Sequence, residues 1–333
     1  MMEATAASTL ASDPKVMAPV QALAEHMRRG LVSHDYLTDR LLIALLTSGH
    51  VLIEGPPGLA KTRAVKLLAS GLSGSFSRVQ CTPDLMPSDI TGTQVYHPDS
   101  GEFSFRPGPI FHNLVLVDEI NRAPPKVQSA LLEAMAERQV TSGGETRPLS
   151  DPFLVVATQN PIEHEGTFPL PEAQLDRFLL HVDLALPGAE AERAILDLVE
   201  AEGQGGSSTA AAAPAPIDLA TIKAARAHVA GIHLAPALRD YIVRLVVATR
   251  ETEGGPLEGL VGHAVSPRGS LALAAGARAR AALMGRDHAL PEDVTALAPD
   301  ALGHRIIPGW RASSDGITGR DLIARLVDHV RPW

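Results

Sequence analysis

The feature that most constrains the fold is a glycine-containing loop, Gly55-Pro56-Pro57-Gly58-Leu59-Ala60-Lys61-Thr62. The apolar run before it, residues 50–54, predicts a short buried strand, and the spacing of the apolar residues after it predicts a helix over Arg63–Ser70. In that context the backbone N–H groups of the loop and the positive end of the helix converge on phosphate oxygens. The sequence therefore predicts a nucleotide site over residues Gly55 to Arg63. Lys61 is expected on the β- and γ-phosphates and the Thr62 hydroxyl on Mg²⁺.

The loop departs from the strict phosphate-loop pattern at one position. The pattern has glycine immediately before the lysine, and this chain has Ala60. We expect Ala60 to begin the helix with a right-handed backbone, at little conformational cost. The alternative interpretation is a Gly/Pro turn that joins strand to helix without binding a ligand.

A second apolar run ends in two carboxylates. Residues 114–117 have the length and composition of a buried strand, and Asp118 and Glu119 follow at once. Ligands of parallel sheets bind at the carboxyl ends of the strands, so both acids are expected to face the nucleotide. Asp118 is predicted to anchor Mg²⁺ and Glu119 to orient the attacking water. The alternative is a solvated acidic pair at a strand end.

Composition limits the function further. The 333 residues suggest about two domains, and a formal net charge of -9 argues against a surface that binds nucleic acid throughout, although not against a local basic pore. A single cysteine, Cys81, excludes an intrachain disulfide and is expected to be buried. The longest apolar runs, such as Leu41–Leu46, are too short to span a bilayer, and no export signal is recognisable. We expect a cytoplasmic protein.

The chain divides into two parts. As far as Leu186, apolar strand-like runs alternate with helical segments, which predicts a parallel sheet with helices on both faces. After Pro187-Gly188 the pattern is helical. We expect an α/β nucleotide-binding core over residues 1–188 and a smaller all-helical lid over residues 189–333, with a flexible loop at about residues 203–216. The clearest predicted strands are Val51–Ile53, Val115–Val117, Leu154–Ala157 and Leu179–Val182.

Two segments predict β-hairpins inserted into this core. Gln94–Tyr96 and Glu102–Arg106 flank a Pro/Gly turn. A second hairpin is expected from the segments Glu137–Val140 and Pro148–Phe153, around Ser142–Glu145. Loops on a rigid scaffold often carry specificity, so the hairpins are expected to act on an external partner. The alternative is that they are ornamental surface loops.

Three further residues would complete a hydrolysis site. Asn160 follows a predicted strand and could sense the γ-phosphate, or it could be a plain strand-end cap. Arg177 is expected at the end of a helix over Leu170–Phe178 and could stabilise transition-state charge. Arg268 lies in the first turn of a predicted lid helix, where a cation opposes the helix dipole, and so an anionic partner is expected.

The order of these motifs resembles that of an AAA+ ATPase, and their residue sequences are similar to those of the MoxR family. The resemblance covers roughly residues 30–330. It implies a P-loop AAA+ core with β-hairpin inserts and a helical lid. The segments that carry it are Asp118-Glu119-Ile120-Asn121-Arg122-Ala123-Pro124-Pro125, Ala157-Thr158-Gln159-Asn160-Pro161, Leu170-Pro171-Glu172-Ala173-Gln174-Leu175-Asp176-Arg177-Phe178, Thr82–Gly92 and Ser266-Pro267-Arg268.

The resemblance also implies a function. Such proteins form rings, commonly homo-hexamers, with Mg²⁺ and ATP at subunit interfaces. Asn160 corresponds to sensor 1, Arg177 to the arginine finger and Arg268 to sensor 2, which could act within its own subunit or across the interface; Arg122 is a further interface candidate. MoxR-type ATPases act as chaperones with von Willebrand A-domain partners and help to mature complexes or insert metal cofactors. The segment Gly30-Leu31-Val32-Ser33-His34 stands where the family usually has a Val-Gly-Gln signature near the adenine, which leaves the role of His34 at the base open.

Other functions stay open at this point. One is a nucleic-acid motor, which the acidic balance and the scattered positions of Arg106, Arg138 and Arg147 disfavour. Others are the motor subunit of a chelatase-like or carboxylase-activating complex, and a nucleotide-gated scaffold without useful hydrolysis. The histidines show no spacing typical of a zinc site.

Overall fold

The computed structural model describes residues 14–32, 34–161, 166–203, 214–251 and 254–332. The strands are β1 (Val51–Glu54), β2 (Phe76–Gln80), β3 (Gly92–His97), β4 (Glu102–Pro107), β5 (Leu114–Asp118), β6 (Gln139–Ser142), β7 (Glu145–Pro148), β8 (Leu154–Gln159), β9 (Leu180–Asp183), β10 (Val261–His263) and β11 (Ile307–Pro308). The helices are α1 (Ala18–Gly30), α2 (Asp35–Thr47), α3 (Lys61–Ser70), α4 (Pro87–Thr91), α5 (Pro125–Glu137), α6 (Glu172–Leu175), α7 (Ala189–Gly203), α8 (Leu219–Gly231), α9 (Pro236–Ala248), α10 (Pro267–Leu283), α11 (Pro291–Leu302), α12 (Trp310–Ser314) and α13 (Gly319–His329).

The centre of the molecule is a parallel sheet in the order β2-β5-β8-β1-β9. β5 and β8 are buried along almost their whole length, because their apolar runs are covered on both faces, as is usual in parallel sheets. The predicted α/β class and the four predicted strands are confirmed. β2 escaped prediction because Ser77, Arg78 and Gln80 interrupt its apolar residues at the edge of the sheet.

Alternation along the strands divides the interior into two cores. Leu52, Val115 and Val155 point to the face that α5 covers. Their neighbours Val51 and Leu114 point to the opposite face, where the core is continuous with α1–α3 and with the C-terminal helices. The sheet is therefore held from both sides, which fixes the positions of its strand ends.

Both predicted hairpins are present, although the strands of the second lie closer to its turn than predicted, because Glu137 still belongs to α5. β3 pairs with β4, and β6 pairs with β7 around two glycines of positive φ, Gly143 and Gly144. The hairpins contact each other, since the Arg147 guanidinium lies 4.1 Å from the centre of the Phe105 ring. The tip of the first hairpin exposes Tyr96 and Phe103, whose ring centres are 5.1 Å apart.

The C-terminal region is helical from α8 to α13 and packs around α2, most of whose residues are buried. One expectation was wrong: the region is not helical throughout, because the connections that contain β10 and β11 pair as a short antiparallel sheet. A second was wrong as well, since only Glu172–Leu175 is helical within the expected helix over Leu170–Phe178. Pro171 sets its start, and the chain must extend again to enter β9.

The expected loop at residues 203–216 can be assessed only at its ends. α7 ends at Gly203, residues 204–213 lie outside the described residues, and the chain resumes beside Leu72 through Ile217. In the ranges that the structure describes, every helix is too short or too polar to cross a lipid bilayer. Cys81 is buried, as expected, and burial raises the pKa of its thiol to about 12.

Candidate active site

The predicted site residues lie at the carboxyl ends of three adjacent parallel strands, an end of the sheet that we call the loop edge. The loop Gly55–Ala60 follows β1, Asp118 is the last residue of β5, and Asn160 comes directly after β8. Because β5, β8 and β1 are parallel neighbours, their carboxyl ends lie side by side. The structure therefore brings Lys61, Asp118 and Asn160 together, as the motif order predicted.

The loop geometry depends on its small residues. A Cβ on Gly55 would lie 2.9 Å from the Leu184 carbonyl oxygen, so only glycine fits without a shift. Gly58 has φ 89°, a region that side chains rarely adopt. Ala60 has φ 51° and ψ 19°, so the expectation of a right-handed backbone was wrong. The chain turns at this residue before α3 begins, and the left-handed region costs a non-glycine residue about 1–2 kcal/mol.

The Lys61 ammonium lies at the mouth of this loop. Its Nζ donates to the Gly55 carbonyl oxygen and, at 3.4 Å, to the Gln159 carbonyl oxygen. Burial lowers the pKa of Lys61, and the nearby carboxylates of Asp118 and Glu119 oppose that shift. The ammonium is thus placed between the loop and the end of β8, where it can bind a phosphate group.

Asp118 is buried and strongly hydrogen-bonded. Its carboxylate accepts from Arg78 Nε at 2.6 Å and from Thr158 Oγ1 at 3.2 Å. Neither Arg78 nor Thr158 was predicted as a site residue. Thr158 lies within the quoted Ala157–Pro161 motif, whereas Arg78 lies in the edge strand β2, which carries no recognisable motif.

Glu119 turns away from the strand with a left-handed backbone of φ 57° and ψ 53°. Its N–H donates to Thr158 Oγ1 at 3.0 Å, and its carboxylate accepts from Gln80 Nε2 at 2.9 Å and from Arg122 Nη1 at 3.3 Å. A strained backbone held by side-chain contacts is frequent at functional sites. The carboxylate therefore has a defined position beside Asp118.

A cavity of about 360 Å³ lies next to the loop, between α3 and α7. His34 forms part of its wall, and burial lowers the pKa of that imidazole, which favours its neutral form. Arg63 also lines the cavity, and its Nε donates to the Gly30 carbonyl oxygen at 2.9 Å. The position and the mostly apolar wall fit a nucleotide base.

The predicted arginines lie at the opposite edge of the sheet, which is formed by the amino ends of the strands. Arg177 precedes β9, and its Nη1 donates to the Leu132 carbonyl oxygen at 2.6 Å. Two residues later, the Leu179 N–H donates to the carbonyl oxygen of His50, which precedes β1. Arg177 therefore lies at the amino ends of the strands, and the four residues of β9 separate it from the loop edge by about 13 Å.

Arg268 lies beside Arg177 and not beside Lys61. Its Nη1 donates to the Asp176 carboxylate at 3.2 Å, and the Ser266 hydroxyl donates to the same group at 3.3 Å. Asp176 thus supplies an anionic partner for the cation that opposes the α10 dipole. Arg177 and Arg268 line one cleft of about 380 Å³, together with Arg138.

Comparisons with known proteins agree with this geometry. Residues 50–180 match the family described as "ATPase family associated with various cellular activities (AAA)", and residues 259–326 match the "AAA lid domain". The crystal structure of a candidate ATPase from Cytophaga hutchinsonii superposes with a TM-score of 0.86 at 37% sequence identity, covering 99% of both chains. The fold and its loop define an AAA+ ATPase, an enzyme that binds and hydrolyses ATP.

Individual relatives narrow the class. Chaperone MoxR1 of Mycobacterium tuberculosis is 44% identical over 307 residues, which cover 91% of this chain and 80% of that protein. The uncharacterised protein YeaC of Bacillus subtilis is 42% identical over 92% of each chain. Protein MoxR of Paracoccus denitrificans is 36% identical over 85% of this chain and 87% of its own. The chain belongs to the MoxR family of chaperone-like AAA+ ATPases, as its motifs predicted.

Proposed function

We propose that the protein hydrolyses ATP at the loop edge of its sheet. In this proposal residues Gly55–Arg63 hold the phosphates, with Lys61 on the β- and γ-phosphates. Glu119 orients the attacking water, and Asn160 senses the γ-phosphate. The observation that carries the proposal is the convergence of Lys61, Asp118 and Asn160 at the ends of three adjacent strands.

The residues present fit Mg²⁺ as the companion ion. The Thr62 hydroxyl and the Asp118 carboxylate are hard oxygen donors, which Mg²⁺ prefers together with substrate phosphates and water. Within the described ranges, no group of three or more His, Cys, Asp or Glu side chains could hold a metal by itself. That donor set fits an ion carried largely by its nucleotide. Bound there, Mg²⁺ would neutralise charge on the phosphates.

We further propose that Arg177 and Arg268 act on the ATP of a neighbouring protomer. Both arginines lie at the edge opposite to Lys61, so they are out of reach of their own nucleotide. A head-to-tail interface in a closed ring would place them against the next loop edge. A homo-hexamer is the proposed assembly, with a core over residues 1–188 and a lid over residues 189–333. ATPase activity per protomer should therefore rise with protein concentration.

The proposed work is the maturation of partner complexes, including metal cofactor insertion, with a von Willebrand A-domain protein as partner. The name "Chaperone MoxR1" of the 44% identical relative supports the chaperone part. The exposed Tyr96 and Phe103 at the first hairpin tip offer an apolar contact for a client polypeptide. A cytoplasmic location stays a prediction from the sequence.

The charges on the hairpins bear on the alternative function, a nucleic-acid motor. Arg147 faces the Phe105 ring and pairs with the Glu145 carboxylate, so its charge is already engaged. A DNA-binding pore needs cations aimed at phosphates, and its binding weakens steeply with salt. DNA that stimulates the ATPase in a salt-dependent manner would favour the rival. A chelatase-like or carboxylase-activating complex differs from the main proposal only in its client.

The experiment uses Glu119→Gln, which is expected to bind ATP and to lose hydrolysis. The variant is purified with ATP from nuclease-treated native lysate, and Lys61→Ala, which should not retain ATP, is the matched control. A von Willebrand A-domain protein or its enzyme complex that co-elutes with Glu119→Gln alone is the expected result. Recovery of the same proteins with both variants would contradict ATP-dependent client binding.

A further inference from the structure

Arg305 belongs to the lid but makes most of its contacts with the α/β core. It follows α11, and only 7% of the residue is exposed. Its guanidinium lies against the segment that joins α6 to β9. Its Nε donates to Asp176 Oδ1 at 2.8 Å. Its Nη2 donates to the carbonyl oxygens of Phe178 at 2.7 Å and Asp176 at 3.2 Å. Its Nη1 donates to the carbonyl oxygens of Leu179, at 3.2 Å, and Ala301.

These contacts bracket Arg177. Arg305 holds the carbonyl oxygens immediately before and after that residue, at Asp176 and Phe178. The rigid planar fork of a guanidinium can hold several acceptors in fixed directions, which a lysine ammonium cannot reproduce. The backbone that carries Arg177 is thereby fixed relative to α11.

The contact between Arg305 and residues 176–179 also holds Arg268. The Asp176 carboxylate accepts from Arg305 and Arg268 together, and from the Ser266 hydroxyl at the start of α10. One buried guanidinium and one carboxylate therefore connect Arg177, Arg268 and two lid helices. A rotation of the lid would move both arginines as one unit.

We propose that Arg305 is a positioning residue for hydrolysis at the neighbouring protomer: through Asp176 it aligns Arg177 and Arg268 with that neighbour's ATP. The proposal rests on the proposed function, in which those two arginines act across the interface. It adds that the lid of one protomer sets the activity of the next.

The test variant is Arg305→Lys, which keeps the positive charge and loses the fork. Arg40→Lys is its matched control, because Arg40 is also buried, with 5% of the residue exposed. Arg40 Nε donates to Asp300 at 2.7 Å and its Nη2 to the Ala296 carbonyl at 2.5 Å. Among the described residues, the hydrogen bonds of Arg40 go to α11 and not to the segment 176–179, so its replacement tests the loss of a buried fork alone.

The assay mixes two protomers that are each inactive alone. The acceptor, Arg177→Ala, keeps the loop, and the donor, Lys61→Ala, keeps the arginine pair. Arg305→Lys is added either to the donor or to the acceptor, and phosphate release is measured for each mixture. In the donor it is expected to lower the recovered turnover about 10- to 100-fold, the loss expected from misplacement by about 1 Å. In the acceptor it should leave the recovered turnover within about twofold.

The outcomes distinguish a failure of the role assigned to Arg305 from a failure of the arginine action across the interface. Equal loss in donor and acceptor, or no loss in either, overturns the role of Arg305. If the parent donor and acceptor form mixed assemblies and recover no turnover, the proposed action of the arginines across the interface is overturned, and this inference with it. If Arg305→Lys does not fold, Asp176→Asn replaces it, with Asp293→Asn as control. Asp293 is a fully buried carboxylate that pairs with Arg280 and Arg286 elsewhere in the lid.

Discussion

Mixing two inactive variants should restore ATPase activity, because the loop and the arginine pair of one protomer lie at opposite edges of its sheet. Arg177→Ala should bind ATP and hydrolyse it about 10³–10⁵-fold more slowly, the range measured for arginine fingers. That loss corresponds to about 4–7 kcal/mol of activation free energy. Lys61→Ala should lose hydrolysis at its own loop and still present Arg177 to its neighbour.

The recovered activity follows from counting sites. A site works only when its own protomer carries Arg177→Ala, with an intact loop, and the neighbour that contributes the finger carries Lys61→Ala. With random assembly the working fraction is the product of the two mole fractions, about one quarter of all sites at equal mixing, whatever the size of a closed ring. Phosphate release at constant total protein should therefore follow a parabola against composition.

The control uses a double variant, Arg177→Ala with Lys61→Ala, which offers neither function and should restore nothing. Mixed assembly is verified by co-purification of differently tagged protomers. If mixed assemblies form and turnover stays flat at every ratio, the arginines do not act across the interface. Equal turnover of Arg177→Ala and the wild type would refute the reasoning at its first step.

Three other substitutions test the local physics. Ala60→Gly should raise the free energy of unfolding by up to about 1 kcal/mol in chemical denaturation, because glycine relieves the left-handed backbone strain but has a more flexible unfolded chain; a less stable variant would contradict this. Gly92→Ala should destabilise the base of the first hairpin by about 1–3 kcal/mol, because its φ is 88° and a Cβ would lie 2.4 Å from the Arg106 carbonyl oxygen; unchanged hydrogen exchange in β3 and β4 would contradict it. The hydrogen bond from His181 Nε2, 2.8 Å from the carboxylate, holds the pKa of Glu54 below its ordinary value of 4.5. The pair therefore stabilises the protein above that pH and loses its effect as pH falls through the lowered pKa, so Glu54→Gln should make the Tm less dependent on pH in the acid range.

Local sequence was sufficient for the parts of the site that one strand end or loop contains. The loop Gly55–Thr62 and the pair Asp118-Glu119 each combine a pattern with its structural context within about ten residues. Partners that meet only in the folded chain left no such signal. Arg78 reaches Asp118 across 40 residues, and Arg305 reaches Asp176 across 129 residues.

The error at Ala60 has a different origin. Propensity favours alanine in a right-handed helix start, and the prediction used that preference alone. In the structure the left-handed turn at Ala60 leads the loop into α3 with Lys61 Nζ at the Gly55 carbonyl oxygen, so the geometry of the whole loop overrides the preference of a single residue. Departures from local rules are expected at functional sites for this reason.

The separation of the two sheet edges has a consequence for regulation. In the proposed ring, each protomer would carry half of two different sites: a loop that faces one neighbour and an arginine pair that faces the other. Hydrolysis would then depend on assembly, and an unassembled chain should consume little ATP. Because the buried contacts of Arg305 join the arginine pair to the lid, nucleotide-dependent lid movement in one protomer would change the barrier in the next. A change of about 1.4 kcal/mol in that barrier alters the rate tenfold, so a small displacement of the contacts around Arg305 would be enough to change turnover at the neighbouring site.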